Sequence, residues 1–525
     1  HTESVLPRAL PTVAERKRQA LELLARWGEQ NTNRALAILA TGGDTAEAEK
    51  LLAVQSDYIR RRFDCSDFYL VYYPYILRTF GKRGSGILSE KTENELTDCL
   101  LGFRYWIDEP GNDAMWFWSE NHALMFHTCQ LLAGELFPDE VFTNSGLTGR
   151  QMQAKAKNML YDWFVTFRKE GFTEWNSSPY LPIDTLGFGS LYAFAQDPAM
   201  RELGREGMDF AYYLLAVHSQ QGVFASSSGR TYIKEQFGNW SNCPSGLSWI
   251  GYGYGVPGHA GKGITSYCLS DYEPPKEFAQ WFSIPRGKEM ICQTTQGNDG
   301  YVDLYTYKTA DYMMTSANDF HPGEPGHQEN PFQLTFNAVA QLWVTHPGER
   351  VLFGAARPSY WAGNGTLPKV NQYKAFAGLI YDIAPEHPVD FTHLYLPSME
   401  FDRCEVEGKW AFVQLGSAYA AVYCSNGMRM QDFGSNKDRE CIAEGRRCIW
   451  LVRAAQADEF AAFEDFKAAM RGAALDADAE GRRYRFVDPV YGELRCQWGE
   501  TLYVNDAPMQ YSGFDNYGKL TMQEK

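Results

Sequence analysis

The sequence has little positive charge, no long apolar run and none of the short motifs that mark nucleotide-dependent or metal-dependent enzymes. Its formal net charge is −16, which excludes a general binder of nucleic acid or anionic membranes because such proteins need a basic surface. No apolar run reaches about eighteen residues and the first residues show no leader pattern, so we expect no membrane association. There is no P-loop, no G-x-S-x-G and no H-E-x-x-H motif.

Cysteine pairing motifs are also missing. The chain has eleven cysteines, an odd number, with no C-x-x-C pair. We therefore predict mostly free thiols, which favours the cytoplasm, with a periplasmic or secreted location as the alternative. No convincingly spaced set of metal ligands is present, so we predict no metal and no cofactor.

Aromatic residues are abundant, with 14 Trp, 31 Tyr and 32 Phe in 525 residues. These flat side chains fill cores and can also stack on sugar rings. The length predicts two large domains rather than one core.

The first half has the pattern of helical hairpins in series. Thr12 to Glu15 forms a capping box and Gly28 ends that helix, while Ser89 and Ser119 are predicted to cap later helices. Further helices are predicted from Thr45, over 150–169, and near 183–196 and 202–217. Because no fixed solenoid repeat is present, we predict an incomplete α/α toroid over residues 1–240.

From about residue 285 the apolar period changes to two, as in 301–305, 410–415, 420–423, 448–452 and 502–504. We therefore predict an α+β multidomain protein with a C-terminal antiparallel β-sandwich over 285–525. The glycine-rich stretch within 241–284 is interpreted as a linker or an ordered cleft loop.

The most informative segment is 115–127, where Asn121 and His122 lie side by side among aromatics at a predicted helix start. An amide that can hydrogen-bond a carboxylate, beside an imidazole that titrates near neutrality, suits abstraction of a proton α to a uronic acid carboxylate. Trp118 and Glu120 flank the pair as candidate substrate contacts.

A helical toroid followed by a β-sandwich, with Asn-His inside a toroid helix, resembles the polysaccharide lyases of the alginate, glucuronan and heparinase II/III type. In those families the Asn-His dipeptide supplies the group that neutralises the carboxylate and the base. Ser119-Glu120-Asn121-His122 matches that motif, with Glu120 where another Asn is common. The resemblance implies a bacterial enzyme of carbohydrate metabolism acting on acidic oligo- or polysaccharides.

Three further segments resemble parts of these lyases. Residues 171–180, which include Glu174, look like the segment that presents the catalytic Tyr180. Residues 226–232 offer Arg230 for a substrate carboxylate and Tyr232 as a second phenol, although a guanidinium equally suits a carboxylate of the protein. The loop 320–328 is similar to the His-rich segment of the sandwich, so His321 or His327 is expected at the cleft.

The resulting hypothesis is β-elimination: Asn121, helped by Arg230, neutralises the carboxylate, His122 or Tyr180 takes the proton, and Tyr180 protonates the leaving oxygen. The main alternative is a glycoside hydrolase on the same toroid, with Glu120, Glu174 or Asp113 as the carboxylate pair. A non-catalytic glycan-binding protein is the third possibility.

Overall fold

The computed structural model describes residues 11–236, 242–257, 263–297, 302–350 and 360–525. They form two compact units that interleave along the chain. The helical unit comprises the described parts of His1–Lys169, Pro179–Tyr213 and Cys243–Phe278, and the β unit those of Glu170–Ser178, Leu214–Asn242 and Ala279–Lys525. Within the described residues, no helix is long and apolar enough to cross a membrane.

The helices up to residue 282 are α1 (Val13–Trp27), α2 (Thr32–Ala40), α3 (Thr45–Arg60), α4 (Asp67–Leu70), α5 (Tyr73–Phe80), α6 (Glu90–Gly102), α7 (Glu120–Leu136), α8 (Gly149–Glu170), α9 (Leu181–Phe194), α10 (Pro198–Val217), α11 (Ile233–Gln236), α12 (Ser245–Tyr252), α13 (Thr265–Cys268) and α14 (Ala279–Phe282). In the helical unit, contacts between neighbouring helices close a circuit from α2 through α3, α6, α5, α7, α9 and α13 back to α2. Helices α7 and α9 are buried on nearly every side, whereas α8 keeps a wide exposed face. This is the arrangement of an α/α toroid, as predicted.

Local capping explains where several of these helices begin. The capping box of Thr12 and Glu15 is formed, and Gly28 ends α1. The hydroxyls of Ser89 and Ser119 accept hydrogen bonds from the first turns of α6 and α7. Helix α3 instead takes Asp44 as its cap, one residue before the predicted start.

The β unit contains β1 (Ser219–Gln220), β2 (Val223–Phe224), β3 (Lys288–Gln296), β4 (Val302–Lys308), β5 (Met313–Asn318), β6 (Phe332–Thr335), β7 (Gln341–Thr345), β8 (Lys369–Tyr373), β9 (Phe376–Asp382), β10 (Phe391–Tyr395), β11 (Arg403–Glu407), β12 (Trp410–Leu415), β13 (Ala418–Cys424), β14 (Arg429–Met430), β15 (Glu440–Glu444), β16 (Arg447–Gln456), helix α15 (Phe463–Gly472), β17 (Leu475–Asp478), β18 (Arg483–Asp488), β19 (Gly492–Gln497), β20 (Tyr503–Val504), β21 (Ala507–Pro508) and β22 (Lys519–Glu524).

These strands form a sandwich of antiparallel sheets. The nine-stranded sheet has the order β14-β15-β10-β7-β6-β5-β4-β3-β22, the six-stranded sheet β11-β12-β13-β16-β9-β8, and a five-stranded sheet follows the order β17 to β21. One hydrophobic core joins Leu334 and Leu342 of the first sheet, Leu379 and Trp450 of the second and Phe486 of the third. The predicted antiparallel β-sandwich is confirmed.

The glycine-rich stretch differs from its interpretation as a linker or loop. Residues 245–252 form helix α12, in which Leu247, Trp249 and Ile250 are fully or almost fully buried. Gly253 ends this helix with a φ of 75°, a left-handed conformation that glycine adopts without strain. The high glycine content of this stretch therefore predicted a linker or loop where the chain forms a short, buried helix. His259, which belongs to this stretch, lies outside the described residues.

Candidate active site

Asn121 and His122 occupy the first turn of α7. The hydroxyl of Ser119 accepts a hydrogen bond from the backbone N–H of His122 at 3.4 Å and donates to Oδ1 of Asn121 at 3.5 Å. Both side chains are buried, Asn121 to 2% and His122 to 7% exposure. The positive end of a seventeen-residue helix thus lies at this pair, which favours an anionic group there.

Helix α8 runs antiparallel to α7. Near the start of α8, Gln153 donates a hydrogen bond to the carbonyl of Gly134, close to the end of α7. Near the end of α8, the indole N–H of Trp163 donates to the carbonyl of Glu120, the first residue of α7, at 3.1 Å. The chain then reverses again into α9, so α7 and α9 begin at the same end of the helical unit.

Tyr180 immediately precedes α9 at that end. Gly187 brings α9 close to α7, because a Cβ at this glycine would lie 2.6 Å from Cδ2 of Leu124. Leu124 lies one turn from Asn121, and Gly187 lies two turns from Tyr180. The three sequence-predicted catalytic residues Asn121, His122 and Tyr180 therefore belong to the starts of two adjacent inner helices.

The imidazole of His122 is hydrogen-bonded to a buried carboxylate. Its Nδ1 lies 2.8 Å from Oδ2 of Asp67, which is fully buried, and the ring of Phe68 stacks on the imidazole with centroids 4.7 Å apart. Burial opposes charge on the ring, but the charge of Asp67, its hydrogen bond and the contact with Cys65 outweigh it and raise the pKa of His122 to about 10. His122 is therefore an imidazolium at neutral pH.

The other ring nitrogen of His122 faces the loop before α4. Nε2 lies 4.0 Å from Oδ1 of the exposed Asp64, and the half-buried thiol of Cys65 belongs to the same group. The sequence interpretation missed Asp64, Cys65 and Asp67. They precede His122 by up to about sixty positions, and only the packing of α4 against α7 brings them to the ring.

Two exposed indoles flank the start of α7. Trp116 and Trp118 are 51% and 60% exposed, and their rings lie 4.6 Å apart. Apolar surface of this size exposed next to buried polar groups is typical of a sugar-binding platform, because a pyranose ring stacks on flat aromatic faces. The assignment of Trp118 as a substrate contact stays a prediction.

Five other predicted contacts lie in the β unit: Glu174, Arg230, Tyr232, His321 and His327. Nη1 of Arg230 lies 3.1 Å from Oε1 of Glu174, with both side chains largely buried, and its guanidinium lies 5.9 Å from the ring centroid of Tyr232. Arg230 is therefore engaged with a carboxylate of the protein itself. This is the second of the two roles that the sequence left open for it.

His321 and His327 lie in the same loop of the β unit. Nδ1 of His321 lies 3.2 Å from Oε2 of Glu324, and its ring packs edge-on against Phe320. The backbone N–H of the exposed His327 donates to Glu329. Both histidines and Arg230 belong to one polar region, since His321 and Arg230 each act electrostatically on Glu329.

Asp113 and Glu174, two of the three carboxylates proposed for a hydrolase, are engaged in ion pairs. Oδ2 of Asp113 lies 3.1 Å from Nη1 of Arg104 and 3.9 Å from Nη1 of Arg62. Glu174 is paired with Arg230. A general acid and base of a glycosidase need two carboxyl groups that face the scissile bond. Asp113 and Glu174 are instead bound to guanidinium groups.

Comparison with known proteins gives a likeness of backbone only. No family model matches the sequence, and no curated protein matches it. A crystal structure of heparinase III is similar with a TM-score of 0.43 and 9% identity, covering 90% of this chain and 81% of that one. A second heparinase III has a TM-score of 0.41 and 10% identity, covering 98% and 90%. Similarity at this level assigns neither substrate nor reaction.

Proposed function

We propose that this protein is a polysaccharide lyase that cleaves a uronic-acid-containing glycan by β-elimination. The observation that carries the proposal is the position of Asn121 and His122 at the start of α7, where Nδ1 of His122 lies 2.8 Å from the buried carboxylate of Asp67, beside the start of α9 that follows Tyr180. Buried amide and imidazolium donors at a helix N-terminus suit a carboxylate whose negative charge grows as the neighbouring proton leaves.

The raised pKa of His122 indicates which residue binds the substrate carboxylate and which takes the proton. The buried carboxylate of Asp67 favours the protonated form of His122, and we assign this donor, with Asn121, to the substrate carboxylate. Tyr180 is the base in its ionised form: the phenolate takes the C5 proton, the C–H electrons form the C4–C5 double bond, and the C4–O4 bond breaks. The same phenol then returns the proton to the departing O4 oxygen.

Trp116 and Trp118 contribute a face for the sugar rings on either side of the cleaved bond. Their exposure of 51% and 60% leaves part of each indole ring accessible to a sugar chain. A glycan of alternating acidic and neutral sugars would stack its apolar ring faces here while its carboxylate reaches Asn121. The substrate class proposed is an acidic oligo- or polysaccharide.

The test is incubation of the purified protein with alginate, glucuronan, heparan, chondroitin and hyaluronan oligosaccharides. Ultraviolet absorbance of the new double bond is followed together with the number of reducing ends. A parallel rise of the absorbance and of the number of reducing ends would support β-elimination. Reducing ends without absorbance would mean hydrolysis, and binding without either signal would mean a glycan-binding protein.

Tyr180→Phe removes the phenolic hydroxyl and keeps the aromatic ring. We expect a loss of about 10²- to 10⁴-fold in kcat, the usual contribution of an acid–base group, with binding retained. Tyr161→Phe is the matched control, because Tyr161 is a 43% exposed tyrosine on α8, and it should turn over normally. An active Tyr180→Phe enzyme would contradict the assignment.

A further inference from the structure

Three different metal-ligating side chains meet at the outer face of His122. Nδ1 or Nε2 of His122, Sγ of Cys65 and a carboxylate oxygen of Asp64 all lie within 4.8 Å of one another. Nε2 of His122 lies 4.0 Å from Oδ1 of Asp64. All three belong to the helical unit, and the proposed elimination uses neither Asp64 nor Cys65.

The loop that carries Asp64 and Cys65 is bent by two left-handed residues. Arg62 has a φ of 52° and Cys65 a φ of 66°, although neither is glycine. Such conformations persist only where surrounding contacts hold them. Here the phenol of Tyr58 donates to the carbonyl of Asp64, and the N–H of Cys65 donates to Oδ1 of Asp64 at 3.0 Å. The loop therefore presents carboxylate and thiol to one place.

The imidazole is oriented for coordination by its buried partner. Asp67 binds Nδ1 at 2.8 Å and Phe68 fixes the plane of the ring, so Nε2 is directed toward Asp64 and Cys65. A carboxylate on the far nitrogen is what metal-bound histidines commonly have, because it fixes ring orientation and raises ligand basicity. This contact is independent of the three ligand atoms themselves.

We propose that Asp64, Cys65 and His122 form a binding site for a thiophilic divalent transition metal of the zinc class. Imidazole, thiolate and carboxylate are the donors that zinc takes, at about 2.0 to 2.3 Å. Tetrahedral bonds of that length separate the ligand atoms by roughly 3.3 to 3.8 Å, so the present spacing needs to contract by about 1 Å. Rotation of the exposed side chain of Asp64 and of the half-buried side chain of Cys65 can supply that movement.

The site offers three protein ligands and a solvent-facing fourth position. The Asp64 side chain is 57% exposed, so water or a substrate oxygen can complete the tetrahedron. A metal on Nε2 displaces the proton that His122 donates in the elimination, and bound zinc therefore inhibits turnover. That consequence rests on the proposed function, whereas metal binding does not.

Cobalt is the probe that tests binding without any substrate. The chelator-treated full chain is titrated with Co²⁺, and the thiolate-to-cobalt charge-transfer absorption and the visible bands of tetrahedral cobalt are recorded, followed by displacement with Zn²⁺. One equivalent should bind with both signals. Cys65→Ser should lose the charge-transfer band, and Asp64→Asn should weaken binding at least tenfold. Cys404→Ser, which removes another half-buried thiol, is the matched control and should bind as wild type.

Absence of the charge-transfer band at one equivalent, or its persistence in Cys65→Ser, would overturn the site. A band that requires Cys404 would overturn it as well. Normal cobalt binding by a protein that is inactive on every glycan would leave the metal site standing and remove the proposed function. Turnover without cobalt binding would do the reverse.

Discussion

The contact between Asp67 and His122 makes a measurable prediction about stability. The carboxylate is fully buried, 2.8 Å from Nδ1, and helps to raise the pKa of His122 from 6.5 to about 10 against the effect of burial. Burial in turn raises the pKa of Asp67, opposed by the charge of His122. The pair thus keeps a proton that the separated groups would release.

A histidine on the same helix shows what burial alone does. His127, packed against Trp106 with centroids 4.3 Å apart, has a pKa lowered to about 3, chiefly by burial. In Asp67→Asn, burial of His122 remains but the charge that opposes it is gone. We therefore expect the pKa of His122 to fall below 6.5 in this variant.

The sign and size follow from proton linkage. Between pH 6.5 and about 10 the folded protein holds a proton on His122 that the unfolded chain releases, so this contribution to stability is complete below pH 6.5 and is lost as the pH rises to 10. At about 1.36 kcal/mol per pKa unit, the whole window is worth at most about 5 kcal/mol. Because Asp67→Asn also removes a buried charge, the pH dependence is more informative than the stability at one pH.

The assay is urea unfolding of wild type and Asp67→Asn at intervals from pH 6 to 10. The wild-type advantage should shrink by several kcal/mol across this range. Asp64→Asn is the matched control, because this exposed carboxylate lies 4.0 Å from the other ring nitrogen. This substitution should alter the change in unfolding free energy between pH 6 and 10 by less than about 1 kcal/mol. Parallel curves for wild type and Asp67→Asn would refute the reasoning.

Two further predictions concern buried positions in each unit. Burial lowers the pKa of Lys308 to about 7, so between pH 7 and 10.5 this lysine binds less proton in the folded β unit than in the unfolded chain. Its contribution to the free energy of unfolding should therefore rise across that window by at most about 5 kcal/mol. Lys308→Met should abolish this rise, as measured by urea unfolding. Gly187→Ala should destabilise by about 1 to 3 kcal/mol and reduce turnover, because its Cβ would lie 2.6 Å from Leu124. Gly189→Ala should be tolerated, because its Cβ would lie 3.5 Å from the nearest atom, the backbone nitrogen of Tyr267.

Local signals in the sequence predicted most of the elements. The hydroxyl of Ser119 caps α7, and the apolar period of two in 410–415 coincides with β12. These features depend on neighbours within a few positions, where side-chain spacing and capping chemistry decide the structure. The order of helices followed by sheets could therefore be predicted.

Long-range contacts could not be predicted in the same way. Asp67 lies 55 positions before His122, and nothing in its local pattern distinguishes it from a solvated carboxylate. The left-handed conformation of Cys65 also has no glycine to signal it. The role of His122 changed for this reason: an isolated imidazole is a base near neutrality, and only its buried partner makes it a cation.

His122 and Lys308 have opposite effects on stability over nearly the same pH range. Rising pH removes a proton that stabilises the helical unit and relieves a charge penalty in the β unit. The two contributions are of similar size and opposite sign, so each is visible only when the variant that removes it is compared with wild type. Against wild type, the free energy of unfolding of Asp67→Asn should fall less as the pH rises, and that of Lys308→Met should gain less. Buried thiols whose pKa is also raised, such as Cys99 and Cys404, titrate in all three proteins and cancel in these differences.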